Sequence, residues 1–161
     1  MSKKVLITGG AGFIGHHLVE EILTKTDYNI VSLDRLDTSG NLNRIADVLE
    51  KNPQWKTRLE IVWHDLKAPL NDMVRNKIGV VDYVLHLAAG SHVDRSIEYP
   101  MEFVLDNVVG TANILDYART YLKDSLEMFL YFSTDEVFGP APEGIFYKED
   151  DRYRSGNPYA A

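Results

Sequence analysis

The chain contains no cysteine, which excludes disulfides, thiolate nucleophiles and cysteine-bound metal and fits a reducing compartment such as the cytoplasm. It has no excess of positive charge. Lysine and arginine number 17 against 24 aspartates and glutamates, a net charge of -7. That is the wrong sign for a nucleic-acid surface or an anionic membrane face. No apolar run approaches the roughly 20 residues of a membrane span. The start, Met1-Ser2-Lys3-Lys4, leads straight into a strand-like run with no cleavage pattern, so no signal peptide is expected. The histidines His16, His17, His64, His86 and His92 lack both the helical His-x-x-x-His spacing and a cluster of carboxylates. No metal site is expected, and they read as satisfied or surface residues. Repeats and low-complexity segments are absent as well. What remains is 161 residues, 45% hydrophobic and 25% charged, the make-up of one globular domain.

What is present alternates regularly. Val5 to Thr8, Asn29 to Leu33, Leu59 to Trp63, Tyr83 to Ala88 and Met128 to Phe132 are short apolar runs that read as strands, the first of them buried. Between them lie helical periodicities: Gly12 to Lys25 (Phe13, Ile14, Leu18, Ile22 and Leu23 on one face), Thr38 to Asn52, Leu70 to Lys77, and Met101 to Tyr121. The last carries Phe103, Val104, Val108, Ala112, Leu115 and Ala118 as its expected apolar stripe. Trp55 and Trp63 read as packing residues. After Val137 the composition turns to Gly, Pro, Tyr and charge, so a loop is expected through Pro158. Strands alternating with helices make βαβ units. Right-handed crossovers then predict an α/β, doubly wound parallel sheet of Rossmann type with about five strands.

The first strand-to-helix turn reads Thr8-Gly9-Gly10-Ala11-Gly12-Phe13-Ile14-Gly15. Gly9, Gly12 and Gly15 are three apart, and Gly10-x-Gly12-x-x-Gly15 also fits the dinucleotide fingerprint. Glycine allows a tight turn and a close approach of backbone to pyrophosphate, and the following helix offers free N–H groups to that anion. An acid belongs about 20 residues further on, and Asp34 stands there at the end of the second strand. Its carboxylate suits ribose hydroxyls and repels a 2′-phosphate, which favours NAD over NADP. Arg35 beside it is a group that could pair with a phosphate.

Taken with Tyr159 in Asn157-Pro158-Tyr159-Ala160-Ala161, these motifs resemble the nucleotide-sugar branch of the extended short-chain dehydrogenase/reductase family, over nearly the whole chain. Several segments are most similar to its dTDP-glucose 4,6-dehydratases: Asp34-Arg35-Leu36 with Gly40-Asn41-Leu42, His64-Asp65-Leu66, Leu87-Ala88-Ala89, Ser91 to Ile97, and Asn107 to Thr111. The resemblance implies that Asp65 and Leu66 hold adenine and that Leu87, Ala88, Ala89 and Asn107 lie beside the cofactor. It places Ser91, Val93 and Asp94 near the sugar. Gly90 departs from the pattern, which has Glu there, and so bears on the hexose pocket. Ser133-Thr134-Asp135-Glu136 carries an acid pair that resembles the dehydratases more than epimerases or decarboxylases.

The implied reaction has Tyr159 as base at the sugar C4 hydroxyl, Thr134 at the developing ketone, Glu136 as base at C5 and Asp135 as acid at the C6 hydroxyl, with NAD regenerated. The lysine of Tyr-x-x-x-Lys would fall at position 163, past Ala161. The expectation is therefore a cofactor-binding fragment over 1–161, without the C-terminal strands and substrate domain, and inactive alone. The full-length form is expected to be a cytoplasmic homodimer, pairing through the long helix. A UDP-glucose 4,6-dehydratase, an epimerase or decarboxylase of the same family, and a non-catalytic NAD-binding module stay open as alternatives.

Overall fold

The computed structural model describes residues 2–160. Five parallel strands, β1 (Lys4–Thr8), β2 (Asn29–Asp34), β3 (Leu59–Trp63), β4 (Tyr83–His86) and β5 (Met128–Tyr131), form one sheet in the order β3-β2-β1-β4-β5. The chain starts in the middle, winds outward to β3, then crosses back and winds to β5. The place where the direction reverses, between β1 and β4, is where open sheets of this kind take ligands, at the carboxyl ends of their strands.

The strand sequences explain why both faces are covered. β1 is buried along Val5-Leu6-Ile7-Thr8 with no polar alternation, so neither face can be left to water. Its side chains divide between two cores. Leu6, with Val31, Leu33, Val62 and Val84, packs against Val74 and Ile78 of α3 (Asp72–Ile78) and Ile114 and Tyr117 of α6 (Gly110–Tyr121). Val5 and Ile7, with Ile30 and Leu85, pack on the opposite face against Val19 and Leu23 of α1 (Phe13–Lys25) and Ile45 and Val48 of α2 (Leu42–Lys51). Each such side chain contributes about 1.5–3 kcal/mol relative to exposure. The outer strands β3 and β5 are mostly exposed.

Asn41 and Asn71 begin α2 and α3, their side-chain oxygens accepting backbone N–H groups of Asn43 and Val74. Pro53–Thr57 forms a short 3-10 turn before β3. Among the described residues no helix is long and apolar enough to cross a membrane.

Four expectations need correction. Phe13 and Ile14 are exposed, and α1 buries Gly15, Val19 and Leu23 instead. The first turn of α1 sits at the carboxyl end of the sheet, where no strand lies beneath it. Trp63 is 67% exposed on an edge strand, its indole N–H donating to the Arg35 carbonyl. An additional helix, α4 (Val93–Glu98), precedes the long one. The long helix itself has three parts: α5 (Pro100–Phe103), a π-helical stretch (Val104–Val109) in which the Gly110 N–H reaches back five residues to the Leu105 carbonyl, and α6. Its buried face runs Phe103, Asn107, Gly110, Ile114, Tyr117 and Ala118, while Val108, Ala112 and Leu115 of the expected stripe are exposed.

Candidate functional site

The site grows from the turn after β1. Gly9 has φ +74, and a Cβ there would stand 2.9 Å from the Ala88 nitrogen, so only glycine meets both demands. The Gly12 N–H donates to the Gly9 carbonyl at 3.0 Å and closes the turn. A Cβ at Gly15 would collide with that same carbonyl oxygen. These contacts bring the start of α1 directly against the loop. Gly12 is the residue before the helix and no side chain caps it. The first N–H groups of α1, at Phe13 and Ile14, therefore face outward at the positive end of the helix dipole, an arrangement suited to a pyrophosphate.

Asp34 is 8% exposed at the end of β2. One carboxylate oxygen accepts from the Ala11 N–H at 3.1 Å and the other from the Leu36 N–H at 2.8 Å. These bonds pin the glycine turn and the loop after β2 to a common point. A carboxylate has about four acceptor positions, so two stay free for the paired hydroxyls of a ribose. Leu36 adopts a left-handed conformation, φ 55, where the loop bends sharply after Asp34. A cleft opens here, lined by Gly12, Asp34, Asp65, Leu66, Ala88 and Asp106 among others. One Asp65 oxygen accepts from the Lys67 N–H at 3.0 Å, and Asn113 of α6 donates to the Leu66 carbonyl at 2.7 Å. The β3–α3 loop is thus held from both sides. A cradle that a Cβ would fill, a free helix end and a half-occupied carboxylate together fit a dinucleotide.

The loop after β4 is held by a buried chain of polar contacts. The Ala88 N–H donates to the Thr8 hydroxyl at 3.1 Å. That hydroxyl lies 2.6 Å from His86 Nδ1, and His86 Nε2 lies 3.0 Å from the Thr111 hydroxyl. Nδ1 is the one acceptor within reach of the Thr8 proton, an arrangement that suits a neutral imidazole with its hydrogen on Nε2. Burial pushes the His86 pKa down to about 4, and the ring stacks on Tyr131 at 5.5 Å. His86 is thus a satisfied core histidine, as expected. Its part in fixing Ala88 has no sequence signature, because the partners Thr8 and Thr111 stand far apart along the chain.

Asn107 uses its whole amide. Its oxygen accepts from the Gly90 N–H at 2.7 Å, and its NH2 donates to the carbonyls of Gly90 and Tyr159, both at 3.0 Å. It thereby joins the β4 loop to the turn at Pro158–Ala160. Asp135–Phe138 forms a short turn after β5, begun by Thr134, whose hydroxyl accepts from the Glu136 N–H at 3.3 Å and faces the Asp135 carboxylate at 3.4 Å. Asn157 donates to the Glu136 carboxylate at 2.9 Å. So Thr134, Asp135, Glu136 and Tyr159 come to one end of the sheet, with Asn157, which the sequence did not single out, as their connector. Ser91 lines a second cleft beside the first. Val93 and Asp94 open α4 and line neither cleft. Among the described residues no group of histidines and carboxylates could hold a metal ion.

The strand order and the glycine turn define the class: a doubly wound parallel α/β domain of Rossmann type. The sequence model of the GDP-mannose 4,6 dehydratase family matches residues 6–161, and the chain belongs to that family. It is 36% identical over 173 residues to the dTDP-glucose 4,6-dehydratase of Salmonella typhimurium, covering 98% of this chain and 46% of the relative. It is 39% identical over 157 residues to the low-salt glycan biosynthesis protein Agl12 of Haloferax volcanii, covering 98% and 47%. Among solved structures, the Streptomyces venezuelae dTDP-glucose 4,6-dehydratase DesIV with NAD and TYD bound superposes with a TM-score of 0.81 at 34% identity, covering 98% of this chain and 47% of that one. The UDP-Glc/GlcNAc 4-epimerase of Campylobacter jejuni reaches the same TM-score, 0.81, at 27% identity, covering 99% and 45%. The chain spans about half the length of the curated relatives it matches.

Proposed function

We propose that this chain is the NAD-binding half of a nucleotide-sugar 4,6-dehydratase, a lyase that converts dTDP-glucose to dTDP-4-keto-6-deoxyglucose. The observation that carries the reading is the Asp135–Glu136 pair, set at the carboxyl end of β5 and tied through Asn157 to the turn that bears Tyr159. The dehydratase name of relatives such as the Salmonella typhimurium protein supports it. The glycine turn with Asp34 supports NAD, as do the neighbours solved with it.

When bound, NAD supplies a reversible hydride acceptor. The free N–H groups of Phe13 and Ile14 hold its pyrophosphate, Asp34 its ribose hydroxyls, and Asp65 with Leu66 its adenine. Leu87, Ala88 and Ala89, fixed by Thr8 and His86, border the reacting end. Tyr159 Oη takes the proton of the sugar C4 hydroxyl, and Thr134 Oγ1 donates to the oxygen that becomes the ketone. Glu136 removes the C5 proton, which the 4-keto group has made acidic, and Asp135 gives a proton to the departing C6 hydroxyl as water. Ser91, in the second cleft, borders the sugar side, and Val93 and Asp94 follow it at the start of α4, outside both clefts.

A 4-epimerase is the second reading, favoured by the equal similarity in shape of the Campylobacter jejuni enzyme. The acid pair argues against it, because epimerisation needs no base at C5. A homodimer through the long helix is supported by Met101, Leu105, Val108, Ala112 and Leu115, which form an exposed stripe at alternating spacings. A cytoplasmic location suits the absence of cysteine.

The test is Glu136→Gln in the full-length gene product. NAD affinity should stay within about threefold, while water loss falls by the ~10²–10⁴ typical of a lost general base. Water release at the wild-type rate would remove Glu136 from the mechanism.

A further inference from the structure

An arginine at the ribose edge is the cation that receives a 2′-phosphate in NADP-binding domains of this class. Arg35 follows Asp34 directly, so its presence runs against NAD unless something disarms it. Three of the five N–H groups of its guanidinium are engaged, all by carboxylates. Nε donates to Asp37 at 2.6 Å, and the two terminal nitrogens bind both oxygens of Asp106 at 2.6 and 2.9 Å. Lys67, the other cation of the same cleft, lies 3.2 Å from Asp106. The Asp106 side chain is only 11% exposed, and its fork-to-fork geometry with Arg35 is the strong form of such a pair.

Two local features make room for this carboxylate. Asp106 and Asn107 lie in the π-helical stretch, and these neighbouring residues serve different parts of the site, Asp106 the ribose edge and Asn107 the Gly90 and Tyr159 backbone. Gly90 contributes the second feature. A Cβ there would stand 3.5 Å from an Asp106 oxygen and 3.1 Å from the Phe103 ring. A side chain at position 90 would crowd the Phe103 ring first and reach the Asp106 oxygen at ordinary contact distance.

We infer that Asp106 is a cofactor-specificity residue, acting through Arg35 and Lys67: it holds both cations that a 2′-phosphate would need, and so excludes NADP alongside the repulsion from Asp34. The inference rests on the nucleotide reading of this cleft. For Arg35 to turn to a phosphate it would have to abandon a nearly buried carboxylate, and removing one partner of such a pair is costly.

The experiment is titration of the full-length gene product with NAD and with NADP, comparing the ratio of the two affinities. Asp106→Asn should raise the NADP-to-NAD affinity ratio about tenfold or more. That gain should vanish when Arg35 and Lys67 are also replaced by Met. Arg35→Met in the otherwise native protein should leave the ratio within about twofold, because the cation is already engaged. Asp106→Ser serves where the Asn variant folds poorly. A merely structural role for Asp106 would weaken both dinucleotides together and leave the ratio unchanged, which overturns the inference, as does a gain that survives without the two cations. Wild-type protein that binds neither dinucleotide instead overturns the nucleotide reading itself.

Discussion

His86 should make the domain sensitive to acid in a defined window. In the unfolded chain its pKa is near the ordinary 6.5, whereas burial in the fold lowers it to about 4. Between those values the unfolded chain binds a proton that the folded one refuses, so stability falls as pH drops. The contribution is complete above pH ~6.5 and gone below about 4. A gap of roughly 2.5 units is worth about 3 kcal/mol, a large share of the ~5–15 kcal/mol that holds a domain together. Protonation makes both ring nitrogens donors, so the Thr8 hydroxyl could then only accept from Nδ1, in a network that also holds Ala88. The assay is urea unfolding at steps from pH 7.5 to 4.5, for the wild type and for His86→Gln, which keeps hydrogen-bonding capacity but does not titrate. Carboxylates contribute equally to both proteins, so the difference isolates the histidine. The wild type should lose about 2–3 kcal/mol more than the variant across the window. Parallel pH curves would refute the reasoning.

Two further outcomes follow from the glycine turn. Gly15→Ala drives a Cβ into the Gly9 carbonyl and should cost about 1–3 kcal/mol by thermal unfolding, along with at least tenfold in NAD affinity, whereas Gly156→Ala, with nothing within 4 Å, should change neither. The Ser32 hydroxyl is buried against Gly10 without a hydrogen-bond partner among the described residues. Ser32→Ala should therefore leave stability equal or raise it by up to about 1 kcal/mol, and a loss beyond ~1 kcal/mol in urea unfolding would show that the hydroxyl has a partner after all.

Much of this architecture was legible in the sequence because parallel strands buried on both faces must be continuously apolar, as Val5-Leu6-Ile7 is. The glycine turn and Asp34 were legible for a similar reason: their spacing is dictated by local backbone geometry. What escaped depends on groups distant along the chain. Periodicity assumed one uniform turn from Met101 to Tyr121, and the π-helical stretch with its Asn107 clamp gave a different buried face. Phe13 and Ile14 carry the right period for a core stripe but stand beyond the end of the sheet. The pairing of Arg35 with Asp106, 71 residues later, leaves no pattern in the sequence, and neither does the contact of Asn157 with Glu136. Arg35 alone reads as a group that could pair with a phosphate, and only the fold shows that Asp37 and Asp106 hold it.

The most direct test of the dehydratase reading is mass spectrometry of dTDP-glucose carrying deuterium at C4, incubated with the full-length gene product and NAD. The account predicts a product lighter by one water that retains the deuterium, moved from C4 to C6, with no net consumption of NAD. A product of unchanged mass with deuterium still at C4, or loss of the label to solvent, would contradict it.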